Sequence, residues 1–204
     1  MYIVCLDLEG VFVPEIWINV ADKTGIKELR LTTRDEPDYD VLMKRRLEIL
    51  HENGLKIGDV QAVIATMDPL EGAMDFLNWL RPRAQMLVLS DTFVQFAGPL
   101  MEKLGWPTLL CNTLSIAPDG SVTGYHLRQR DGKRKAVIAL KSLSYRIIAV
   151  GDSYNDITML TEADRGILFR PPENVKNEYP QFPVTYTYEE LKANVRKILD
   201  GDAI

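Results

Sequence analysis

The sequence has few cysteines. Cys5 and Cys111 are the only two in 204 residues. Both lie in apolar runs that predict internal strands, where a buried thiol behaves as a small hydrophobic side chain. We therefore expect neither a disulfide framework nor a catalytic thiol.

Long apolar runs are also missing. No stretch approaches the roughly 20 apolar residues that a membrane helix needs. The opening residues have neither the basic region nor the apolar region of a signal peptide. We therefore expect a cytoplasmic protein without a membrane partner.

Basic residues are not in excess. The chain carries 24 Lys and Arg against 29 Asp and Glu, a net charge of -5, and its cations are dispersed. No basic face for nucleic acid is predicted. The two histidines, His51 and His126, have no metal-ligand spacing around them. A small-molecule partner is expected, and a homodimer is left open.

Short apolar runs alternate with helical patterns over most of the chain. Strands are predicted at residues 3–6, 86–89, 108–111, 147–150 and 166–169, helices at 70–80, 93–104, 132–143, 157–162 and 188–199, and a hairpin at 114–127. This alternation predicts an α/β fold, with a doubly wound, Rossmann-like parallel sheet and right-handed crossovers.

Residues 13–69 interrupt this alternation with helical patterns alone, of which the clearest cover 39–53 and 57–65. One helix is enough to join two parallel strands. We therefore predict a catalytic core at residues 1–12 and 70–204, with residues 13–69 inserted as a small helical cap.

Polar side chains follow three of the predicted strands. They are Asp7 and Glu9, then Ser90 and Asp91, then Asp152, Asn155 and Asp156. Parallel strands bring their carboxyl ends to one edge of the sheet. Crowded carboxylates repel one another, and a divalent cation relieves that repulsion. Oxygen ligands without histidine or cysteine favour Mg²⁺.

The same edge has groups suited to a phosphate. Lys133 opens a predicted helix, although Lys135 competes for this role, and Ser90 offers a hydroxyl with amide groups in an expected turn after it. An ionised Asp7 could attack phosphorus and hold an aspartyl phosphate. Glu9 could protonate the leaving oxygen. The composition of this edge favours phosphoryl transfer.

These residues carry a family resemblance. Four stretches resemble the four motifs of the haloacid dehalogenase superfamily in order and spacing: Asp7-x-Glu9-Gly10-Val11, Ser90-Asp91-Thr92, Lys133, and Gly151-Asp152-x-x-Asn155-Asp156. Within that superfamily the chain resembles the phosphoserine phosphatase branch, including members that also pass phosphate to homoserine. Members of this branch carry a small helical cap just after the first motif.

The resemblance implies a role for each residue of the edge. Asp7 is the nucleophile, Glu9 the general acid and base, Ser90 and Lys133 phosphate ligands, and Asp152 binds Mg²⁺ together with Asp7. It also implies that Glu9 ligates the metal through its main chain, that Asp156 ligates or supports the metal, and that Asn155 lies near the phosphate. The implied substrates are O-phosphoserine and, as acceptor, homoserine.

In the predicted cap, Glu15 resembles the residue that receives the substrate ammonium, and Arg46 the residue that grips its carboxylate. Two positions depart from the family pattern. Glu9 stands where an aspartate is usual, and Ser90-Asp91-Thr92 replaces Ser-Gly-Gly. Asp91 either contacts the substrate or caps the next helix.

Two other functions stay open. One is a phosphatase of another small phosphomonoester. The other is a signalling receiver, which also sets an aspartate, a hydroxyl residue, a lysine and Mg²⁺ at the edge of such a sheet. Receivers accept phosphate after the third strand, where this chain has only Asn112-Thr113, and they have no helical insert.

Overall fold

A computed structural model describes residues 1–32, 35–36 and 38–201. In this part of the chain one sheet contains β1 (Tyr2–Leu6), β2 (Gln85–Phe93), β3 (Leu109–Ile116), β4 (Val122–His126), β5 (Arg146–Gly151), β6 (Arg165–Phe169) and β7 (Val184–Thr185). Their order is β4-β3-β2-β1-β5-β6-β7. β4 pairs antiparallel with β3, and the other pairs are parallel.

The helices are α1 (Ile16–Thr24), α2 (Tyr39–Glu52), α3 (Ile57–Ala65), α4 (Ala73–Leu80), α5 (Val94–Lys103), α6 (Gly132–Ser142), α7 (Ile157–Glu162), α8 (Glu173–Glu178) and α9 (Tyr188–Gly201). Short 3-10 helices cover Lys27–Arg30 and Tyr154–Asp156. Helices cover both faces of the sheet, as its apolar strands require.

β1 lies at the centre of the sheet, between β2 and β5. Its five residues are all buried. Val4 and Leu6 belong to one apolar cluster, and Ile3 and Cys5 belong to a second. Because consecutive side chains of a strand point to opposite faces, this apolar run supplies both layers of the core. Asp7 follows at the carboxyl end, where the chain order changes direction across the sheet.

The two apolar clusters differ in the helices that complete them. The larger one takes buried residues from α1 to α5 and from α9, and the smaller one takes them from α6, α7 and α8. Val20, Leu29 and Ile64 of the predicted cap lie in the larger cluster together with Leu6 of β1. The insert therefore packs on the core through a continuous apolar layer, and its separation as a domain stays a prediction.

The predicted fold class is confirmed: the sheet is doubly wound, mostly parallel and Rossmann-like. Several boundaries were wrong. The helix predicted from residue 70 begins at Ala73. The strand predicted to end at Leu89 continues to Phe93, with a shift in register against β3, and the next helix starts at Val94. No turn therefore follows Ser90. Cys111 is only partly buried.

No described helix combines the length and the apolar composition that a membrane span requires.

Candidate active site

The site is built on an ion pair at the carboxyl end of β1. Asp7 is buried, and its Oδ1 accepts a hydrogen bond from the Leu8 amide at 2.7 Å. Lys133 Nζ, in the first turn of α6, lies 2.8 Å from Asp7 Oδ1 and 2.8 Å from Asp156 Oδ1. Lys133 is buried, whereas Lys135 is exposed. Lys133 is therefore the lysine that reaches the carboxylates.

Asp7, Asp152 and Asp156 form a cluster in which one carboxylate oxygen from each lies within 4.8 Å of the others. Asp156 Oδ2 accepts hydrogen bonds from the amides of Asp152 at 3.0 Å and Ser153 at 3.2 Å. A Cβ on Gly151 would lie 2.4 Å from the Asp156 side chain. The loop after β5 can therefore wrap around Asp156 only with glycine at this position.

Gly10 lets the loop after β1 approach the same cluster. Its φ is +77°, a conformation that glycine adopts readily and that side chains of other residues disfavour. A Cβ here would lie 2.4 Å from Asp152 Oδ2. The backbone after Asp7 is thus held against Asp152, which keeps the first and last motifs together.

The cluster has more negative charge than it has protein cations to balance. Burial raises the pKa of Asp7 well above its usual range, and the charges of Asp156 and Asp152 add to the increase against the opposing effect of Lys133. Burial and the charge of Asp156 raise the pKa of Asp152 to about 7. For Lys133, burial favours the neutral amine, but Asp156 and Asp7 outweigh it and raise the pKa well above its ordinary value.

The donor set fits Mg²⁺. Three buried carboxylates face one ammonium, and the cluster contains no histidine or cysteine. Hard oxygen ligands of this kind suit Mg²⁺, and a divalent cation would offset the repulsion that raises the pKa values of Asp7 and Asp152.

Glu9 lies beside the acidic cluster and contacts the predicted cap. Its Oε2 accepts a hydrogen bond from the Ile16 amide, 2.8 Å away, at the start of α1. Burial and the neighbouring Glu15 raise the pKa of Glu9 to about 8, although Arg46 and the Ile16 amide oppose the shift. The side chain of Glu9 is not one of the three clustered ligands.

Arg46 is buried in α2, above the site. Its guanidinium lies 4.7 Å from the centre of the Trp17 ring, and Nη2 donates to the Leu31 carbonyl at 2.8 Å. Burial lowers the pKa of Arg46 to about 10. Its Nε is buried without a hydrogen-bond partner in the described part of the chain. Buried donors are rarely left unpaired, so this atom is available to donate to a bound ligand or water.

The second motif also contributes side chains to the site. Ser90 is buried, and its Oγ accepts from the Thr92 amide at 3.1 Å. Asp91 Oδ2 lies 3.9 Å from Lys133 Nζ and accepts from Asn155 Nδ2 at 3.3 Å. Asp91 does not cap the next helix. The N-cap residue of α5 is Phe93, and no side chain makes a capping hydrogen bond there.

A cavity of about 450 Å³ joins these residues. Nine of the predicted site residues line it: Asp7, Glu9, Glu15, Arg46, Ser90, Asp91, Lys133, Asp152 and Asn155. Asp156 is the exception, since it is fully buried below the cavity. Arg170 also lines the wall and was not predicted. Its place directly after β6 is the same signal that identified Asp7 and Asp152.

The chain is similar in sequence to a family of hydrolases and to two phosphatases. The haloacid dehalogenase-like hydrolase family matches residues 9–164. The phosphoserine phosphatase ThrH of Pseudomonas aeruginosa is 64% identical over 197 residues, which cover 97% of this chain and 96% of that protein. A phosphoserine phosphatase of Pseudomonas syringae pv. tomato is 64% identical over 202 residues, which cover 99% and 85%.

Solved structures of similar fold include a phosphoserine phosphatase in its apo form, with a TM-score of 0.71, 24% identity and coverage of 86% of this chain and 90% of that one. A phospho-aspartyl intermediate analogue of phosphoserine phosphatase has a TM-score of 0.73, 23% identity and coverage of 89% and 91%. At these identities the two structures show the fold alone.

Proposed function

Because this chain belongs to the haloacid dehalogenase-like hydrolases, we propose that it is a Mg²⁺-dependent phosphoserine phosphatase that works through an aspartyl phosphate on Asp7. The observation that carries this proposal is Lys133 Nζ, 2.8 Å from both Asp7 and Asp156 on the wall of a cavity lined with carboxylates. The two Pseudomonas relatives named as phosphoserine phosphatases support the choice of substrate.

Asp7, Asp152 and Asp156 would hold the metal, with the main-chain carbonyl of Glu9 as a further ligand. When bound, Mg²⁺ would supply positive charge that favours ionised Asp7 and offsets the negative charge of the phosphoryl group.

In the first half of the reaction, an Asp7 carboxylate oxygen attacks phosphorus while the bond from phosphorus to the serine oxygen breaks. Glu9 gives its proton to that oxygen. Burial raises the pKa of Glu9 to about 8, which favours the protonated form that a general acid needs. Lys133 and Ser90 bind the oxygens of the transferring group, where negative charge develops.

In the second half, an acceptor hydroxyl attacks phosphorus and the bond to Asp7 breaks. The acceptor gives its proton to the Glu9 carboxylate, which returns the site to its starting state. We propose that both water and the hydroxyl of homoserine act as acceptors. Exclusion of water by the predicted cap would favour homoserine.

The cap residues are proposed to recognise the amino acid. Glu15 pairs with the substrate ammonium, and the unpaired Nε of buried Arg46 donates to its carboxylate. Asp91 and Asn155 line the same cavity and are proposed to contact the bound substrate.

The first experiment incubates the pure protein with O-phosphoserine and Mg²⁺, with and without homoserine, and measures inorganic phosphate and phosphohomoserine. We expect phosphate release that stops when EDTA removes Mg²⁺, and phosphohomoserine when homoserine is added. If neither product forms, the proposed function is wrong; if phosphate alone forms, only the transfer activity is wrong.

Asp7→Asn tests the nucleophile. The amide cannot form the acyl phosphate, so turnover of phosphoserine should fall by about a thousandfold or more. Far-ultraviolet circular dichroism would check that the variant is folded. A folded Asp7→Asn protein with near-normal turnover would show that another group attacks phosphorus.

Arg46→Ala tests the substrate class. O-Phosphoethanolamine differs from O-phosphoserine only by lacking the carboxylate, so it serves as an internal control. We expect KM for phosphoserine to rise about tenfold, which corresponds to the loss of one charged hydrogen bond, with little change for phosphoethanolamine. A wild-type preference for sugar or nucleotide phosphates would favour another phosphomonoesterase. Slow turnover of acetyl phosphate alone would favour a receiver.

A further inference from the structure

Arg170 has a strained backbone beside the cavity. Its φ is +51°, in the left-handed region that residues with a Cβ disfavour. The residue that follows is Pro171, and a proline disfavours helical conformations in the residue before it. Backbone strain of this kind is found preferentially at functional sites.

Several contacts hold Arg170 in this conformation. Its amide donates to the Thr185 carbonyl at 2.8 Å, and its Nε donates to the Tyr186 carbonyl at 2.9 Å. The guanidinium carbon lies 4.7 Å from the centre of the Phe169 ring and 5.2 Å from that of Tyr188. The guanidinium is therefore fixed on an aromatic surface while the residue stays exposed at the cavity.

The charged side chains that line the cavity indicate a function for Arg170. Three cations line the described wall, and two already have a role in the proposed function. Lys133 is paired with Asp7 and Asp156, and Arg46 is buried in α2 and is proposed to bind the substrate carboxylate. Arg170 makes no ion pair with any carboxylate among the described residues, and it is exposed.

The anions are more numerous. Four carboxylates of the described residues line the same cavity, Asp7, Glu15, Asp91 and Asp152, in addition to Glu9, which is proposed to carry a proton. In a protein with a net charge of -5, a phosphate dianion that approaches this wall is repelled unless a cation meets it.

We propose that Arg170 captures the phosphate group of the incoming substrate by charge, at the mouth of the cavity. This inference rests on the proposed function for the identity of the substrate. It assigns Arg170 to binding of any small phosphomonoester, because the attraction is to the dianion and not to the carboxylate that Arg46 recognises.

Kinetics at low ionic strength test the proposal with Arg170→Gln, Arg170→Lys and a matched control, Arg165→Gln. Arg165 is an exposed arginine at the other end of β6, so the control removes the same charge far from the cavity. Arg170→Gln should lower kcat/KM about fivefold, mainly through KM, for phosphoserine and phosphoethanolamine alike. Arg170→Lys should keep most of the activity, and Arg165→Gln all of it.

Salt provides a second measurement that a structural role would not reproduce. At about 1 M salt the screening length is about 3 Å, so the difference between wild type and Arg170→Gln should shrink below about twofold. The proposal is overturned if kcat/KM is unchanged in Arg170→Gln, if the loss is confined to phosphoserine, if Arg170→Lys is as impaired as Arg170→Gln, or if the difference persists at high salt.

Titration calorimetry with inorganic phosphate and Mg²⁺ separates this inference from the proposed function, because it needs no turnover. Arg170→Gln should bind phosphate about fivefold more weakly than wild type, while Arg165→Gln should match wild type. A protein that binds phosphate in this pattern but does not turn over phosphoserine would retain the role of Arg170 and remove the proposed substrate. Equal binding by all three proteins would overturn the role of Arg170.

Discussion

Lys133 sets the electrostatic balance of the site. Its ammonium is buried between Asp7 and Asp156 at 2.8 Å from each, with Asp91 at 3.9 Å. A buried ion pair adds little net stability compared with apolar residues of similar size, but removal of one partner leaves a buried charge uncompensated. This side chain is therefore difficult to replace for reasons of both stability and chemistry.

Lys133→Met should lower turnover about a hundredfold or more, because the donor proposed to bind the transferring phosphoryl group is lost. It should also lower the free energy of unfolding by about 3 kcal/mol in metal-free protein. Lys135→Met is the matched control, since that exposed lysine is two residues along the same helix. Phosphate release and urea unfolding measure the two effects. Equal effects of the two substitutions would contradict the assignment to Lys133.

At the residue scale, the sequence was informative where a polar side chain directly follows a run of apolar residues. Asp7, Ser90 and Asp152 follow apolar runs, and the parallel sheet brings them to one cavity. Arg170 follows β6 in the same way, but it is an isolated cation before two prolines and matches no motif. Its φ of +51° depends on contacts with Tyr186 and Tyr188, which no local pattern reveals.

At the scale of elements, the β3–β4 hairpin holds the predicted cap against the core. The Ile57 amide at the start of α3 donates to the Gly120 carbonyl at 2.9 Å, and Lys56 Nζ donates to the Asp119 carbonyl at 2.8 Å. Tyr125 of β4 donates to Asp40 of α2. The hairpin therefore contacts two cap helices and limits their separation from the sheet.

Tyr125→Ala should loosen this contact, because it removes the hydrogen bond to Asp40 and the ring packed 6.0 Å from that of Tyr39. Water should then reach the aspartyl phosphate more easily, and the ratio of phosphate to phosphohomoserine should rise about two- to fivefold. Amide hydrogen exchange in α2 should become faster. These two measurements test cap closure separately from the identity of the acceptor.

Lys56→Ala is the control for Tyr125→Ala. Lys56 is exposed, exposed ion pairs contribute about 0–1 kcal/mol, and the backbone bond between Ile57 and Gly120 remains. Its product ratio should stay close to wild type. An unchanged ratio in Tyr125→Ala, with faster exchange in α2, would show that cap closure does not select the acceptor.

Helices and strands were predicted correctly where their periodic patterns are long. They were missed where tertiary contacts decide whether a short segment forms a helix or a strand. α3 has the predicted bounds, Ile57–Ala65. β7 has only Val184–Thr185, which is too short for an alternation, and it is a strand because Leu168 and Phe169 pair with it. α8 was not predicted either, for a similar reason, since its six residues include one buried apolar side chain.

At the scale of the whole molecule, the last helix supports the loop that follows β1. Tyr188 begins α9, and its buried hydroxyl donates to the Val11 carbonyl at 2.6 Å, across 177 residues of sequence. Its ring packs on Phe76 and Phe169, with centres 5.6 and 4.8 Å away. A hydrophobic pattern predicts that Tyr188 is helical, but it cannot reveal a partner so distant in the chain.

Tyr188 should make the stability of the protein sensitive to alkaline pH. Burial raises the pKa of Tyr188 to about 12, although Arg170 opposes the shift, against about 10 for an unfolded tyrosine. The folded state therefore keeps a proton that the unfolded state releases. The contribution of the Tyr188 proton to the free energy of unfolding is fully present below about pH 10 and is lost as the pH rises toward 12. The free energy of unfolding then falls by at most about 1.4 kcal/mol per pH unit.

Tyr188→Phe should remove this slope. The variant should lose about 1 kcal/mol at neutral pH, from the missing hydrogen bond to Val11, and should then lose less stability than wild type between about pH 10 and 12. Urea unfolding at a series of pH values measures both. Tyr186→Phe is the control, because that ring is exposed and only two residues away. Parallel pH profiles for wild type and Tyr188→Phe would contradict the prediction. Because the loss from the pKa shift exceeds the loss of one hydrogen bond, the two profiles should cross between about pH 10 and 12, which would show that the link between α9 and the loop after β1 depends on the protonated hydroxyl.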